Sequence, residues 1–335
     1  MKVAELGEVR LVERIARLVN TARDKSDSGQ NLIIGMGDDA AAWQGDNSIQ
    51  LATVDALVEG VHFQPGMMGW ADLGWKALAI NLSDIAAMGG IAKYALVSLA
   101  IPPDTEVADG LAIYRGMLKL ARQHGVTIIG GDTDSTPHVS ITVTVLGRMG
   151  KNTKLLTRDT AKPGDLIAVT GFLGTAVAGY EILRGKLKFN AKSATTMKKA
   201  FLRPEPRLAE GQLLLKAGIK TAIDVSDGLI ADLTHICKAS GVSARIEAAK
   251  IPIAPTVTAS FGAKALDMAL SGGEDYELLF TGKPEAIEKV KQQAACPVTV
   301  IGEITAGKTD GVRVVDNTGK PIKSGKKGWE HFISK

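Results

Sequence analysis

Val9, Leu11, Val12, Ile15 and Leu18 recur at three- and four-residue steps, which predicts an amphipathic helix over residues 8–22. The polar run from Asp24 to Asn31 ends it. Leu32-Ile33-Ile34 is then a short apolar segment closed by the turn-formers Gly35 and Gly37. Apolar stretches predict strands at 51–54, 58–63, 94–101, 126–129 and 139–146. Helical spacing returns over 70–87, with Leu73, Ala77, Ile80 and Asp84 in step, and over 105–124, which Thr105 opens and Gly125 closes.

Beyond Gly147 the chain turns polar and basic from Gly150 to Lys154, which sets a domain boundary: residues 1–149 and residues 150–335. The second part alternates as well. Strands are predicted at 166–170, 219–224, 242–247, 276–280 and 298–301, and helices at 174–183, 207–217, 227–239 and 284–293. Interleaved strands and helices make each domain a mixed α/β unit. The basic run from Arg184 to Lys199 predicts a solvated surface segment.

The length of 335 residues suits two domains rather than one core. Net charge is +4, too mild to point to nucleic acid. Its distribution is uneven: residues 1–150 sum to −5 and residues 151–335 to +9. An acidic half suits metal ions and a basic half suits phosphates. Two distant cysteines, Cys237 and Cys296, speak against a disulfide framework or a zinc site. The acidic N-terminus lacks a secretory pattern, and no apolar run approaches the ~18 residues of a membrane span. The expectation is a cytoplasmic protein.

Carboxylates recur after small residues at the ends of apolar segments. The set comprises Gly37-Asp38-Asp39-Ala40, Thr53-Val54-Asp55, Asn81-Leu82-Ser83-Asp84, Gly130-Gly131-Asp132-Thr133, Asp224-Val225-Ser226-Asp227-Gly228 and Ser271-Gly272-Gly273-Glu274-Asp275-Tyr276-Glu277. Singly, each has a plain alternative: a solvated turn, a helix cap at Ser226 or Asp227, or a loop of exposed acids. Together they fit Mg²⁺, which takes carboxylate oxygens, waters and substrate phosphates. No Gly-x-x-x-x-Gly-Lys-Ser/Thr loop or His-Arg-Asp motif is present. Gly171-Phe172-Leu173-Gly174 resembles a phosphate-binding turn without its lysine.

The order and spacing of these motifs resemble the thiamine-monophosphate kinase family, related to aminoimidazole ribonucleotide and selenophosphate synthetases. Asp55-Ala56-Leu57-Val58-Glu59-Gly60-Val61-His62-Phe63, Ala161-Lys162-Pro163-Gly164-Asp165 and Gly328-Trp329-Glu330-His331-Phe332 extend the likeness nearly end to end. The resemblance implies transfer of the ATP γ-phosphoryl group to thiamine monophosphate. It also implies a homodimer whose N-terminal strands form a shared barrel. Asp39, Thr53, Asp55, Asp84, Asp132, Asp224 and Asp227 would then hold several Mg²⁺ ions. Gly131, Asp132, Arg158 and Ser226 would contact ATP, while His62, Glu274 and Trp329 would contact thiamine monophosphate. Catalysis would rest on Asp84, Asp132 and Arg158. One position departs from the pattern: the family often has a hydroxyl residue where this chain has Val54. Rival readings are a relative acting on a formyl-amide or selenide, and a silent nucleotide-binding protein. The selenide chemistry uses an N-terminal Cys or selenocysteine, and no Cys precedes Cys237.

Overall fold

The computed structural model describes residues 1–22, 31–34, 41–150, 154–185, 190–307, 311–322 and 328. Its chain divides into two compact units, Met1–Ile85 with Ile91–Asn152, and Ala86–Gly90 with Thr153–Lys335.

The first unit runs α1 (Val3–Leu6), α2 (Glu8–Ala22), β1 (Leu32–Ile34), β2 (Ala42–Trp43), β3 (Gln50–Val58), α3 (Trp70–Ala87), β4 (Ile91–Ile101), α4 (Val107–His124), β5 (Thr127–Ser135) and β6 (Ser140–Arg148). Four strands form one sheet in the order β3-β6-β4-β5, with β4 and β5 parallel and the other pairs antiparallel. Strand β6 shows why one face is covered: Ile141, Val143 and Val145 are fully buried, while Ser140, Thr142 and Thr144 between them are only half-buried. Ile85 of α3 packs on this sheet beside Gly147. Helices α3 and α4 meet backbone to backbone. A Cβ on Gly74 would lie 1.9 Å from the Ile113 carbonyl oxygen, and one on Gly116 equally close to that of Ala71. Gly125 ends α4 with φ 65°, a left-handed cap that a glycine adopts without strain.

The strand expected at 51–54 extends to Val58 as β3, with all nine residues paired to β6, and the strand expected at 58–63 is instead a turn beyond Val58. Asp55 therefore lies inside a strand and not at its end. A continuous antiparallel partner carries β3 through Asp55, while the Val61 and His62 N–H groups donate back to Val58 O and end it.

The second unit contains β7 (Leu166–Thr170), α5 (Thr175–Leu183), α6 (Ala191–Leu202), α7 (Leu208–Ala217), β8 (Thr221–Asp224), α8 (Leu229–Ser240), β9 (Ser243–Glu247), α9 (Pro255–Phe261), α10 (Lys264–Ser271), β10 (Leu278–Gly282), α11 (Pro284–Gln293), β11 (Val298–Thr305) and β12 (Val312–Val315). Its six-stranded sheet has the order β12-β9-β11-β7-β10-β8 and is antiparallel except for the β12–β9 pair. Ile167, Val169, Ile223, Leu279 and Ile301 from the strands, with Leu229, Leu233 and Ile236 from α8, form its main core. Part of the basic run is a packed helix: α6 buries Met197 and Phe201, and the Phe201 ring lies 5.3 Å from that of Tyr180. Lysines on the remaining face of α6 hid this apolar side in the sequence. Residues 186–189 of that run lie outside the described residues.

Candidate functional site

In the first unit, β3 carries Thr53 and Asp55 two residues apart and therefore on one face. Asp84 is half-buried near the end of α3, a helix whose flanking Leu82, Ser83 and Ile85 are fully buried. The Thr53 hydroxyl donates to Asp84 Oδ2 at 2.5 Å, so strand and helix present their oxygens together. Just past β3, His62 Nδ1 accepts the Val58 N–H at 3.0 Å. That bond places the proton of the neutral imidazole on Nε2. Glu59 Oε2 accepts the Val139 N–H at 2.8 Å and pins the same turn.

Gly131 and Asp132 lie on the opposite edge strand, both exposed. Asp132 aligns across the sheet with Ser98, Thr142 and Ala56. Three strand spacings put its backbone about 14 Å from β3, in a row of side chains on the other face from Asp55. The first unit thus joins Thr53, Asp55 and Asp84 but holds Asp132 apart. Asp38 and Asp39 lie outside the described residues.

In the second unit two glycine-rich loops interlock. Asp224, buried at 3% exposure, ends β8, and Ser226 and Asp227 follow half-buried. The segment Ser271–Glu277 runs against them. Glu274 N–H donates to Ser226 O at 2.8 Å, Tyr276 N–H to Val225 O at 2.9 Å and Val225 N–H to Glu277 O at 2.8 Å. Backbone contact explains the glycines: a Cβ on Gly273 would lie 2.5 Å from Ser226 O, and one on Gly228 would lie 2.9 Å from the Ser271 carbonyl carbon. Glu274 (φ 63°) and Tyr276 (φ 51°) are held in the left-handed region, a strained geometry that clusters at binding loops. Gly328, just before Trp329, also closes on this loop, since its Cβ would lie 2.9 Å from Asp227 O. Trp329 and His331 themselves lie outside the described residues.

Neither Ser226 nor Asp227 caps α8. The N-cap is Gly228, with φ 123° and no side chain to offer. Asp232, one turn into the helix and 2% exposed, reaches back instead. Its Oδ2 accepts three successive N–H groups, from Ser226 (3.1 Å), Asp227 (3.2 Å) and Gly228 (3.0 Å). Burial, then the neighbouring Asp224 and Asp227 carboxylates, push its pKa up to about 8. Asp227, Asp232 and the exposed His235 carry potential ligand atoms within 4.8 Å of one another. Nothing but its four-residue spacing from a glycine marked Asp232 in the sequence.

The turn Gly171–Gly174 is occupied from within. Asp275 accepts the Gly174 and Ala176 N–H groups at 2.7 and 3.1 Å and fills the N-terminus of α5. Those partners lie about a hundred residues away in the chain, so no local pattern announced them. Glu277 is buried beside Gly171, receives the Thr170 hydroxyl at 2.6 Å and is gripped by Arg207 through Nε (2.7 Å) and Nη2 (2.6 Å). Arg158 stands elsewhere. Thr157 bridges to Thr221 at the start of β8, and the Ser240 hydroxyl, at the far end of α8, donates to Arg158 O at 2.9 Å. The span of α8 alone is about 16 Å, so Arg158 is not gathered with Asp224 and Asp227.

This arrangement of two α/β units with carboxylates around glycine loops defines a class. Residues 37–149 match the family "AIR synthase related protein, N-terminal domain", and residues 162–315 match its C-terminal domain. Within that class, the chain belongs to the thiamine-monophosphate kinase family. It is 39% identical over 335 residues to the thiamine-monophosphate kinase of Escherichia coli K12, covering 98% of this chain and 99% of that one. The crystal structure of the thiamine-monophosphate kinase from Stenotrophomonas maltophilia K279a superposes with a TM-score of 0.80 at 37% identity, over 91% of this chain and 95% of that one. A structure described as AaThiL complexed with AMPPCP and TMP superposes with a TM-score of 0.75 at 32% identity, over 99% of both chains.

Proposed function

We propose that this chain is an ATP-dependent phosphotransferase that converts thiamine monophosphate to thiamine diphosphate. The observation that carries the reading is its end-to-end likeness to a chain solved with AMPPCP and TMP. The carboxylates and strained glycine loops supply the matching chemistry.

Several Mg²⁺ ions fit the donors present. Hard oxygen ligands stand at Thr53, Asp55, Asp84 and Asp132 in the first unit and at Asp224 and Asp227 in the second, with Asp39 by resemblance. The separation of Asp132 from the Thr53–Asp84 pair suits more than one ion. Bound Mg²⁺ would neutralise phosphate charge.

The chain's own groups then bind and orient. The acceptor phosphate, with a second pKa of about 6, is already ionised near neutrality and attacks the γ-phosphorus in line without a general base. His62, protonated at Nε2, is a donor to thiamine monophosphate, and Glu274 and Trp329 suit its cationic ring. Gly131, Asp132 and Ser226 serve ATP. Arg158, at the other end of β8 and α8, serves a part of the nucleotide remote from Asp227.

A homodimer with a barrel shared between N-terminal strands accords with Val54, which is 59% exposed on edge strand β3 beside exposed Ala52. The apolar residue at the position where relatives often carry a hydroxyl suits such an interface. Among the described residues no helix is long and apolar enough to cross a membrane. A cytoplasmic setting, where ATP is at hand, agrees with this. The test is a coupled ADP assay with MgATP and either thiamine monophosphate or free thiamine. Turnover with the phosphate ester alone, abolished by EDTA, is expected. Absence of both ADP and thiamine diphosphate would overturn the assignment.

A further inference from the structure

Asp232 has no place in the proposed metal, ATP or thiamine sets, yet it is the buried side chain that shapes the loop carrying two of them. The chain turns sharply after β8, and the N–H groups of Ser226, Asp227 and Gly228 all point to one oxygen, Asp232 Oδ2. A helix start normally leaves such donors to a capping side chain, and the glycine at the N-cap has none. In the other direction Asp232 N–H donates to Gly228 O at 3.0 Å, so helix and loop are tied reciprocally. From outside, the loop is fixed by Glu274 N–H and the close passage of Gly273.

We propose that Asp232 is a positioning residue for nucleotide binding: by gathering three consecutive N–H groups it sets the direction in which Ser226 and Asp227 present their oxygens to MgATP. The proposal rests on the reading of the chain as a kinase. Asp232 itself touches neither substrate. It acts through a loop whose geometry decides whether Asp227 meets a phosphate-bound cation. The isosteric Asn retains an acceptor oxygen, whereas Ala leaves three donors without one.

The experiment uses the full-length protein with Asp232→Asn and Asp232→Ala, steady-state kinetics in both substrates, Mg²⁺ titration and thermal melting. Asp232→Ala is expected to raise KM for ATP and the half-saturating Mg²⁺ by about 10–100-fold, as loss of a supporting partner does, with KM for thiamine monophosphate changed less than about threefold. Asp232→Asn is expected to restore most of the difference. Equal shifts for both substrates would overturn the proposal in favour of general stability. Equal damage in the Asn and Ala variants would overturn it in favour of charge or direct ligation. Should the Ala variant fail to fold, amide exchange in ligand-free wild type decides: Ser226, Asp227 and Gly228 should exchange slowly, and exchange at exposed-loop rates would sink the idea. An inactive wild type would refute the kinase reading, while the exchange result would still report on the loop.

Discussion

The Thr53 hydroxyl and Asp84 Oδ2 lie 2.5 Å apart, which ties an exposed edge strand to a helix packed against the same sheet. A carboxylate among buried apolar neighbours costs several kcal/mol unless compensated. The Thr53 hydroxyl offsets part of that cost, and the two oxygens side by side are hard donors of the kind Mg²⁺ takes. Asp84→Asn is expected to lower turnover by orders of magnitude while the melting temperature holds or rises. The coupled ADP assay beside a thermal melt checks both. Near-wild-type turnover would remove Asp84 from the metal set.

Arg207, 22% exposed, holds the buried Glu277 in a bidentate pair that anchors the Ser271–Glu277 segment. Removing only the cation leaves the buried carboxylate with the Thr170 hydroxyl but no charge partner, which costs up to about 3–5 kcal/mol. Arg207→Met should therefore lower the urea midpoint sharply. The double variant Arg207→Met with Glu277→Met should recover much of the loss, and additive losses would show that the pair is not coupled.

The contact of α3 with α4 leaves no room at Gly116 for a side chain. Gly116→Ala forces the helices apart and is expected to destabilise by about 1–3 kcal/mol, although alanine favours an isolated helix. Denaturant unfolding gives the sign directly. A stabilised variant would mean that propensity, not packing, decides this position.

How much of this was legible in the sequence depends on the range of each interaction. The spans of α3 (Trp70–Ala87), β7 (Leu166–Thr170) and α11 (Pro284–Gln293) follow from local periodicity. Helices α9 and α10 and strand β12 carried too weak a pattern to be marked. The motif residues were readable as a set, because carboxylates beside glycines are unusual next to apolar strands. Their supports were not. Asp275 serves Gly174 and Arg207 serves Glu277 across 101 and 70 residues, and only the folded chain pairs them. The placement of Arg158 was hidden for the same reason, since it depends on Thr221 and Ser240.

Asp275 gives a pH dependence with a definite sign. Burial, followed by the neighbouring Glu277 and Glu274 charges, raises its pKa to about 7, against the two N–H groups that favour the anion. A folded value above the unfolded value near 4 means that the fold holds the proton more tightly. The associated stability is complete below about pH 4 and is lost as pH rises through about 7. Relative to Asp275→Asn, the wild type should lose stability steadily across that window. Denaturant unfolding at several pH values tests this, and a difference independent of pH would place the Asp275 pKa outside the window.

His62 is the residue most easily mistaken for a catalytic base. Its Nδ1 is already an acceptor for Val58 N–H, so the neutral ring carries its proton at Nε2 and offers a donor there. A base at Nε2 would need the other tautomer and the loss of that backbone bond. His62→Gln, which can still donate from a similar distance, should leave kcat nearly unchanged. His62→Ala should raise KM for thiamine monophosphate about tenfold, the worth of one hydrogen bond to a charged group. The kcat–pH profile should keep its shape in both variants. An acidic limb present in the wild type and missing in His62→Ala would make His62 the base after all, and the Val58 contact would then have to break during turnover.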